Sequence, residues 1–203
     1  MSESPRTALL LIGFQNDYMH PDGLLHGAIE DTDGFEKMLK NVFHIIESVD
    51  DDAVVMLNTP IVFSENYEEL HEPIGIMKVI KEAGAFKSGT VGSEIIEQFK
   101  KYGDRIQVVS GKRGLNAFSN TDLADRLGEA NVERVCIAGV VTSICVDTAG
   151  RSALDLGYKV SILKDATCGM NAFEQQFYCE NVFPLYADVW TSQQFLDSVG
   201  VSV

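Results

Sequence analysis

The sequence predicts a three-layer α/β/α domain built on a doubly wound, mostly parallel six-stranded sheet. Three observations predict it. Short, nearly all-apolar runs recur along the chain, as expected of strands covered on both faces. The segments between them carry apolar residues at three- and four-residue spacing, the signature of amphipathic helices. Strand-like and helix-like segments alternate, which implies right-handed crossovers and helices on both faces of a parallel sheet.

In order, residues 7–12 (TALLLI) form a continuous apolar run and the first, central strand, ending in the polar turn 13–18. Phe35, Met38, Leu39, Val42, Ile45 and Ile46 repeat at helical spacing, and the acidic corner 50–52 ends that helix. Residues 53–57 give the second strand. From 58 to 91 the pattern loosens around Pro60, Pro73, Gly84 and Gly89, with one helix near 74–82; this is a long excursion over the strand ends. Ile95, Ile96 and Phe99 predict a helix, 106–109 a strand, and Leu123 with Leu127 a helix capped by Asn120 or Thr121. Strands follow at 135–138 and 158–163, a loop at 164–168, a helix from Ala172, a short strand at 187–190 and a closing helix through Phe195. No repeat, low-complexity tract or linker interrupts the chain, so residues 1–203 read as one domain.

With 45% hydrophobic and 23% charged residues, the composition is that of an ordinary globular protein. A net charge of −14 argues against nucleic acid and anionic membranes as partners, because binding phosphate needs a basic face. The start, MSESPR, lacks the apolar core of a signal peptide, and no run is long enough to span a bilayer. Four scattered cysteines without a CxxC fit free thiols in a reducing compartment, so a cytoplasmic home is expected.

The stretch 139–157 (GVVTSICVDTAGRSALDLG) organises the rest. The run 135–138 ends at Gly139, and Val146, Ala149, Ala153 and Leu156 then repeat as a helix stopped by Gly157. Cys145 therefore stands between a strand end and a helix start, where unpaired N–H groups and the helix dipole favour a thiolate and can stabilise an oxyanion. On residues alone, a buried cysteine acting as a small hydrophobe remains open. So does a solvated surface role for Lys112, which follows the 106–109 strand. Gly13, Lys112 and the loop before Cys145 all fall just past strand carboxyl ends, where sites of such folds lie.

Three stretches, LLLIGFQNDY (9–18), GKRGLNAF (111–118) and GVVTSICVDTA (139–149) with Gly157-Tyr158 and Asp165-Ala166 behind them, resemble the isochorismatase-like cysteine hydrolases. That family includes nicotinamidases and N-carbamoylsarcosine amidases. The resemblance runs from Ala8 to about Trp190 and implies the same three-layer fold. It implies that Cys145 is the nucleophile on an amide-like C–N bond of a small molecule, assisted by Lys112. It also implies a cis peptide at Val140–Val141, which would aim the Val141 and Cys145 N–H groups at an oxyanion, and a homo-oligomer. Phe14, Tyr18, Phe63, Tyr67 and Phe118 are expected near the site as pocket lining or as core filler.

One position departs from the family pattern. Where the family carries its catalytic aspartate, this chain has Gly13; Asp17 matches a later acidic position that belongs to the turn. Three readings follow. A carboxylate from Glu65, Glu68 or Glu69 reaches in, the substrate supplies its own base, or the chain is a catalytically silent member that binds a small ligand or a protein partner. A thiol sensor at Cys145 is a weaker reading, since no resolving cysteine stands nearby in sequence. His71 lacks a paired ligand at usable spacing, so neither a metal nor another cofactor is expected. Cys136, Cys168 and Cys179 read as packing residues.

Overall fold

The computed structural model describes residues 6–50 and 53–201. Most of the polar start and of the expected acidic corner at 50–52 lies outside the described residues. Six strands, β1 (Arg6–Ile12), β2 (Val54–Asn58), β3 (Ile106–Val108), β4 (Val132–Val140), β5 (Lys159–Cys168) and β6 (Asp188–Trp190), form one sheet in the order β3-β2-β1-β4-β5-β6. Every pairing between neighbours is parallel. β1 is central and buried from Thr7 to Ile12, as its unbroken apolar run requires.

The helices are α1 (Asn16–Met19), α2 (Thr32–Ser48), α3 (Gly75–Ala83), α4 (Leu123–Glu129), α5 (Asp147–Asp155), α6 (Ala172–Phe177) and α7 (Ser192–Ser198). Asp31 opens α2 by accepting the Gly34 N–H at 3.0 Å. That helix buries Phe35, Met38, Val42, Ile45 and Ile46 against the sheet, so truncating any one of them to alanine would cost about 2–5 kcal/mol. Right-handed crossovers put α2 on one face. Chain direction across the sheet reverses between β1 and β4, so α4 and α5 cover the other face. The crevice at that reversal, outside the carboxyl ends of β1 and β4, is where ligands bind in doubly wound folds. Among the described residues, no helix is long and apolar enough to cross a membrane.

Four expectations need correction. The helix expected at Ile95, Ile96 and Phe99 is an antiparallel bridge from Ile95 to Gln15, followed by a 3-10 segment, Glu97–Arg105, broken at Gly103 (φ 52). Residues 164–168 are strand, because β5 runs on to Cys168 and its Thr167 and Cys168 pair with Gly139 and Val140 after a register shift. α4 starts after Asp122 without a side-chain cap, and Thr121 reaches the Leu123 N–H only at 3.4 Å. On α5, Ala149 and Ala153 are buried but Leu156 faces solvent beyond the helix end.

Candidate active site

The site begins with two glycines at the ends of the central strands. Ile12 pairs with Gly139, and a Cβ built on Gly139 (φ 116) would lie 1.9 Å from the Ile12 carbonyl oxygen. Only glycine lets the strands approach this closely. The approach carries Val140 against Gly13, which itself has φ 81; a Cβ there would meet Val140 Cγ2 at 2.6 Å, the Val140 carbonyl at 2.9 Å and Tyr18 Cδ2 at 3.6 Å. The Val140–Val141 peptide is cis.

Beyond it, Thr142–Val146 form a single wide helical turn that feeds into α5. Cys145 lies in that turn with 3% of its surface exposed. α6 braces the turn: Thr142 Oγ1 donates to Gln175 Oε1, and Glu174 Oε1 accepts the Ser143 N–H at 3.2 Å. Asn171 caps α6 by accepting the Glu174 N–H at 2.9 Å, which fixes the bracing carboxylate. Sequence reading missed this brace. Its visible signal was the Asn171-x-x-Glu174 pattern of a helix start.

The motif after β1 supplies two clamps, Gln15 and Asp17, and a buried phenol, Tyr18. Gln15 donates to the Ile61 and Ser93 carbonyls at 2.7 and 2.8 Å and accepts the Ile61 N–H at 2.8 Å. Asp17 is 1% exposed and holds the Leu24 and Phe86 N–H groups at 3.3 and 2.6 Å. Both tie the long 58–91 excursion to the strand ends. Tyr18 instead packs its ring on Phe86, with centroids 5.3 Å apart. Burial first, then the charges of Cys145 and Asp17, push its phenol far above the usual range, so it stays protonated.

Of the other aromatics, Phe14 packs on Phe99 with ring centroids 5.0 Å apart, and Phe63 packs on Tyr67 at 5.6 Å. The Tyr67 hydroxyl donates to the Ala85 carbonyl at 2.8 Å. These three are buried in the core, whereas Phe118 is half-buried.

Lys112 is 1% exposed and follows β3; its carbonyl accepts the Val62 N–H at 3.3 Å. Among the described residues its ammonium has no hydrogen-bond partner. A buried ammonium without a partner costs several kcal/mol, which an anion beside it would offset. The surface glutamates do not supply one. Glu65 and Glu68 are exposed, and Glu69 accepts from Ser64 and pairs with Arg113 at 3.0 Å.

The remaining thiols are chemically quiet. Burial pushes Cys136 and Cys168 up to about 12 and Cys179 up to about 11. His71 is exposed, and among the described residues no group of three His, Cys, Asp or Glu gathers as metal ligands would.

The parallel sheet of this strand order, with a thiol in the first turn beyond its central switch point, defines a doubly wound α/β domain carrying a cysteine where such folds hold their sites. The chain belongs to the isochorismatase family, whose domain matches residues 7–194, and is a hydrolase-family protein related to nicotinamidases. It is 28% identical over 163 residues to an uncharacterized isochorismatase family protein of Bacillus subtilis (strain 168), covering 79% of this chain and 76% of that one. It is also 28% identical over 174 residues to a probable inactive nicotinamidase of Arabidopsis thaliana, covering 79% and 80%. Three other relatives match over 47–58% of their own lengths. Among solved structures, an isochorismatase-like hydrolase from Alkaliphilus metalliredigens superposes with a TM-score of 0.75 at 22% identity, covering 98% of both chains.

Proposed function

We propose that the protein hydrolyses a C–N bond of a small, amide-like molecule through a Cys145 thiolate assisted by Lys112, with Gly13 standing where the family has its aspartate. The observation that carries this reading is a thiol in the first turn beyond β4, in a domain that also buries the Lys112 ammonium without a partner among the described residues.

In the reaction the thiolate attacks the carbonyl carbon, and the cis-peptide loop with the turn N–H groups faces the oxyanion. As the C–N bond breaks, the Lys112 ammonium gives its proton to the departing nitrogen, leaving a thioester and a neutral amine. The neutral Lys112 side chain then takes a proton from water as the water oxygen attacks the thioester carbon. The C–S bond breaks, releasing the acid and restoring thiolate and ammonium. This cycle makes Lys112 both acid and base and needs no carboxylate, at a cost in rate of about 10²–10⁴ relative to a site with a positioned base.

The test is release of ammonia or amine from a panel of small amides, ureas and carbamoyl compounds, with intact-mass detection of a thioester. Wild type should turn over at least one, and Cys145→Ser none. Equal rates for the two proteins would end the hydrolase reading.

A second reading, a silent member that binds a small ligand, is favoured by the crowding at Gly13 and by similarity to a relative described as probably inactive. Ligand-induced stabilisation without turnover would select it. In either case we expect a small-molecule partner, a homo-oligomer and a reducing, cytoplasmic setting, without nucleic acid, membrane or metal.

A further inference from the structure

The turn that carries Cys145 begins without a cap of its own. Val141, the residue before it, has no side-chain acceptor, and the turn runs on into α5 as one helix. Its first N–H groups therefore need partners from outside the usual ladder. The Val141 carbonyl takes those of Ile144 and Val146, at 3.1 and 3.2 Å. The Ser143 N–H goes instead to α6, where Glu174 Oε1 accepts it at 3.2 Å.

We propose that Glu174 is a positioning residue for the nucleophile: its carboxylate caps, from α6, the turn on which Cys145 stands, and so controls how far the thiol opens to incoming molecules. The proposal rests on the reading of Cys145 as the nucleophile. A carboxylate suits the task, because it accepts a charge-assisted bond and complements the helix dipole. The Ser143 N–H, once committed to Glu174, is unavailable to a substrate oxyanion, which leaves that part to other N–H groups of the loop and turn.

The surroundings hold the carboxylate in place. Asn171 accepts the Glu174 N–H at 2.9 Å, so one cap orients the residue that supplies the next. Gly169 leaves the room: a Cβ built there would lie 3.0 Å from Glu174 Oε1 and 3.3 Å from its Cδ. Gln175 fixes α6 to β5, donating to the Lys164 carbonyl at 2.9 Å and to Thr167 Oγ1 at 3.1 Å. Its Oε1 accepts the Thr142 hydroxyl. Two consecutive residues of α6 thus grip two consecutive residues of the turn, one through a side chain and one through the backbone.

The test compares Cys145 alkylation by a slim reagent, iodoacetamide, and a bulky one, a pyrene maleimide, in wild type, Glu174→Gln and Glu174→Ala. Peptide mapping reads both rates. Their ratio is the measured quantity, because both reagents need the thiolate and a change in its population cancels. Glutamine keeps an acceptor oxygen and should hold the ratio within about twofold of wild type. Alanine removes the cap and should lower the preference for the slim reagent by about tenfold, the factor that losing a charge-assisted hydrogen bond brings. A role confined to the stability of α6 would lower the melting temperature and leave the ratio unmoved. An unchanged ratio in Glu174→Ala therefore overturns the proposal, as does a glutamine variant as permissive as the alanine one. Either result leaves Cys145 as the nucleophile, whereas wild-type Cys145 inert to both reagents overturns that reading as well.

Should Glu174→Ala not fold, hydrogen exchange in the wild type gives a second measurement. The Ser143 amide should exchange at least about tenfold more slowly than the free-chain rate. Exchange at the free rate overturns the cap.

Discussion

Replacing Gly13 with aspartate looks like the repair that would restore a family-type acid, and the structure predicts that it fails. The backbone at Gly13 has φ 81, where a side-chain-bearing residue is strained by about 1–3 kcal/mol. The new Cβ would also meet Val140 Cγ2 at 2.6 Å and the Val140 carbonyl at 2.9 Å. Crowding of that kind in a packed core costs a further 1–3 kcal/mol or so. The sum, about 2–6 kcal/mol, corresponds to a fall in melting temperature of roughly 4–24 °C for a chain of this size. Gly13→Ala carries the same Cβ without the carboxylate and should lose nearly as much. Adding Val140→Ala to the aspartate variant removes the closest contact and should recover part of the loss. Thermal unfolding of the four proteins checks the cost, and the amide panel checks the gain. A Gly13→Asp protein that melts with wild type and hydrolyses about 10²-fold faster would refute this reasoning, since it would mean that Gly13 adopts an ordinary backbone conformation with free space beside it.

Four other outcomes follow from the same structure. Lys112→Met should abolish turnover while leaving the melting temperature unchanged or raised, because an unpaired buried ammonium is replaced by an apolar chain of similar shape; unchanged turnover would remove Lys112 from the mechanism. Alkylation at neutral pH should label Cys145 ahead of Cys136, Cys168 and Cys179, whose thiols burial holds protonated up to about 11 or 12, and peptide mapping that finds Cys168 or Cys179 first would contradict this. Asp17→Ala should strand the Leu24 and Phe86 N–H groups and destabilise the fold by about 2–5 kcal/mol, measured by denaturant unfolding. Gln175→Ala should slow Cys145 alkylation with little change in stability, by releasing the partner of Thr142.

The parts of this fold that obey simple periodicity were legible in the amino-acid sequence. β1 is apolar along its whole length and proved central; α2 repeats its apolar residues at helical spacing and buries that face. Gly13 and the loop before Cys145 were read as meeting at the strand ends, and Val140 of that loop does lie against Gly13. What escaped reading has no periodic signal. β5 continues through Lys164 and Asp165 because a register shift realigns it with β4, and because Asp165 is paid for by the Ser192 N–H and hydroxyl at 2.7 and 2.8 Å. The segment 97–105 carries helical spacing but is held as 3-10 turns around Gly103. At Gly13 the sequence reports only a missing side chain. It reports neither the positive φ nor the neighbours that make the position intolerant of one.

The seclusion of Cys145 acts as a size filter on chemistry as well as on substrates. With 3% of its surface open, the sulfur is reached more readily by slim molecules than by bulky ones. Reactivity toward a series of electrophiles should therefore rank by cross-section before it ranks by intrinsic electrophilicity. Peroxide-sized oxidants should react ahead of bulky maleimides and tripeptide thiols. An oxidised Cys145 would then be slow to regain its thiol from large cellular reductants, so peroxide damage would outlast the exposure that caused it.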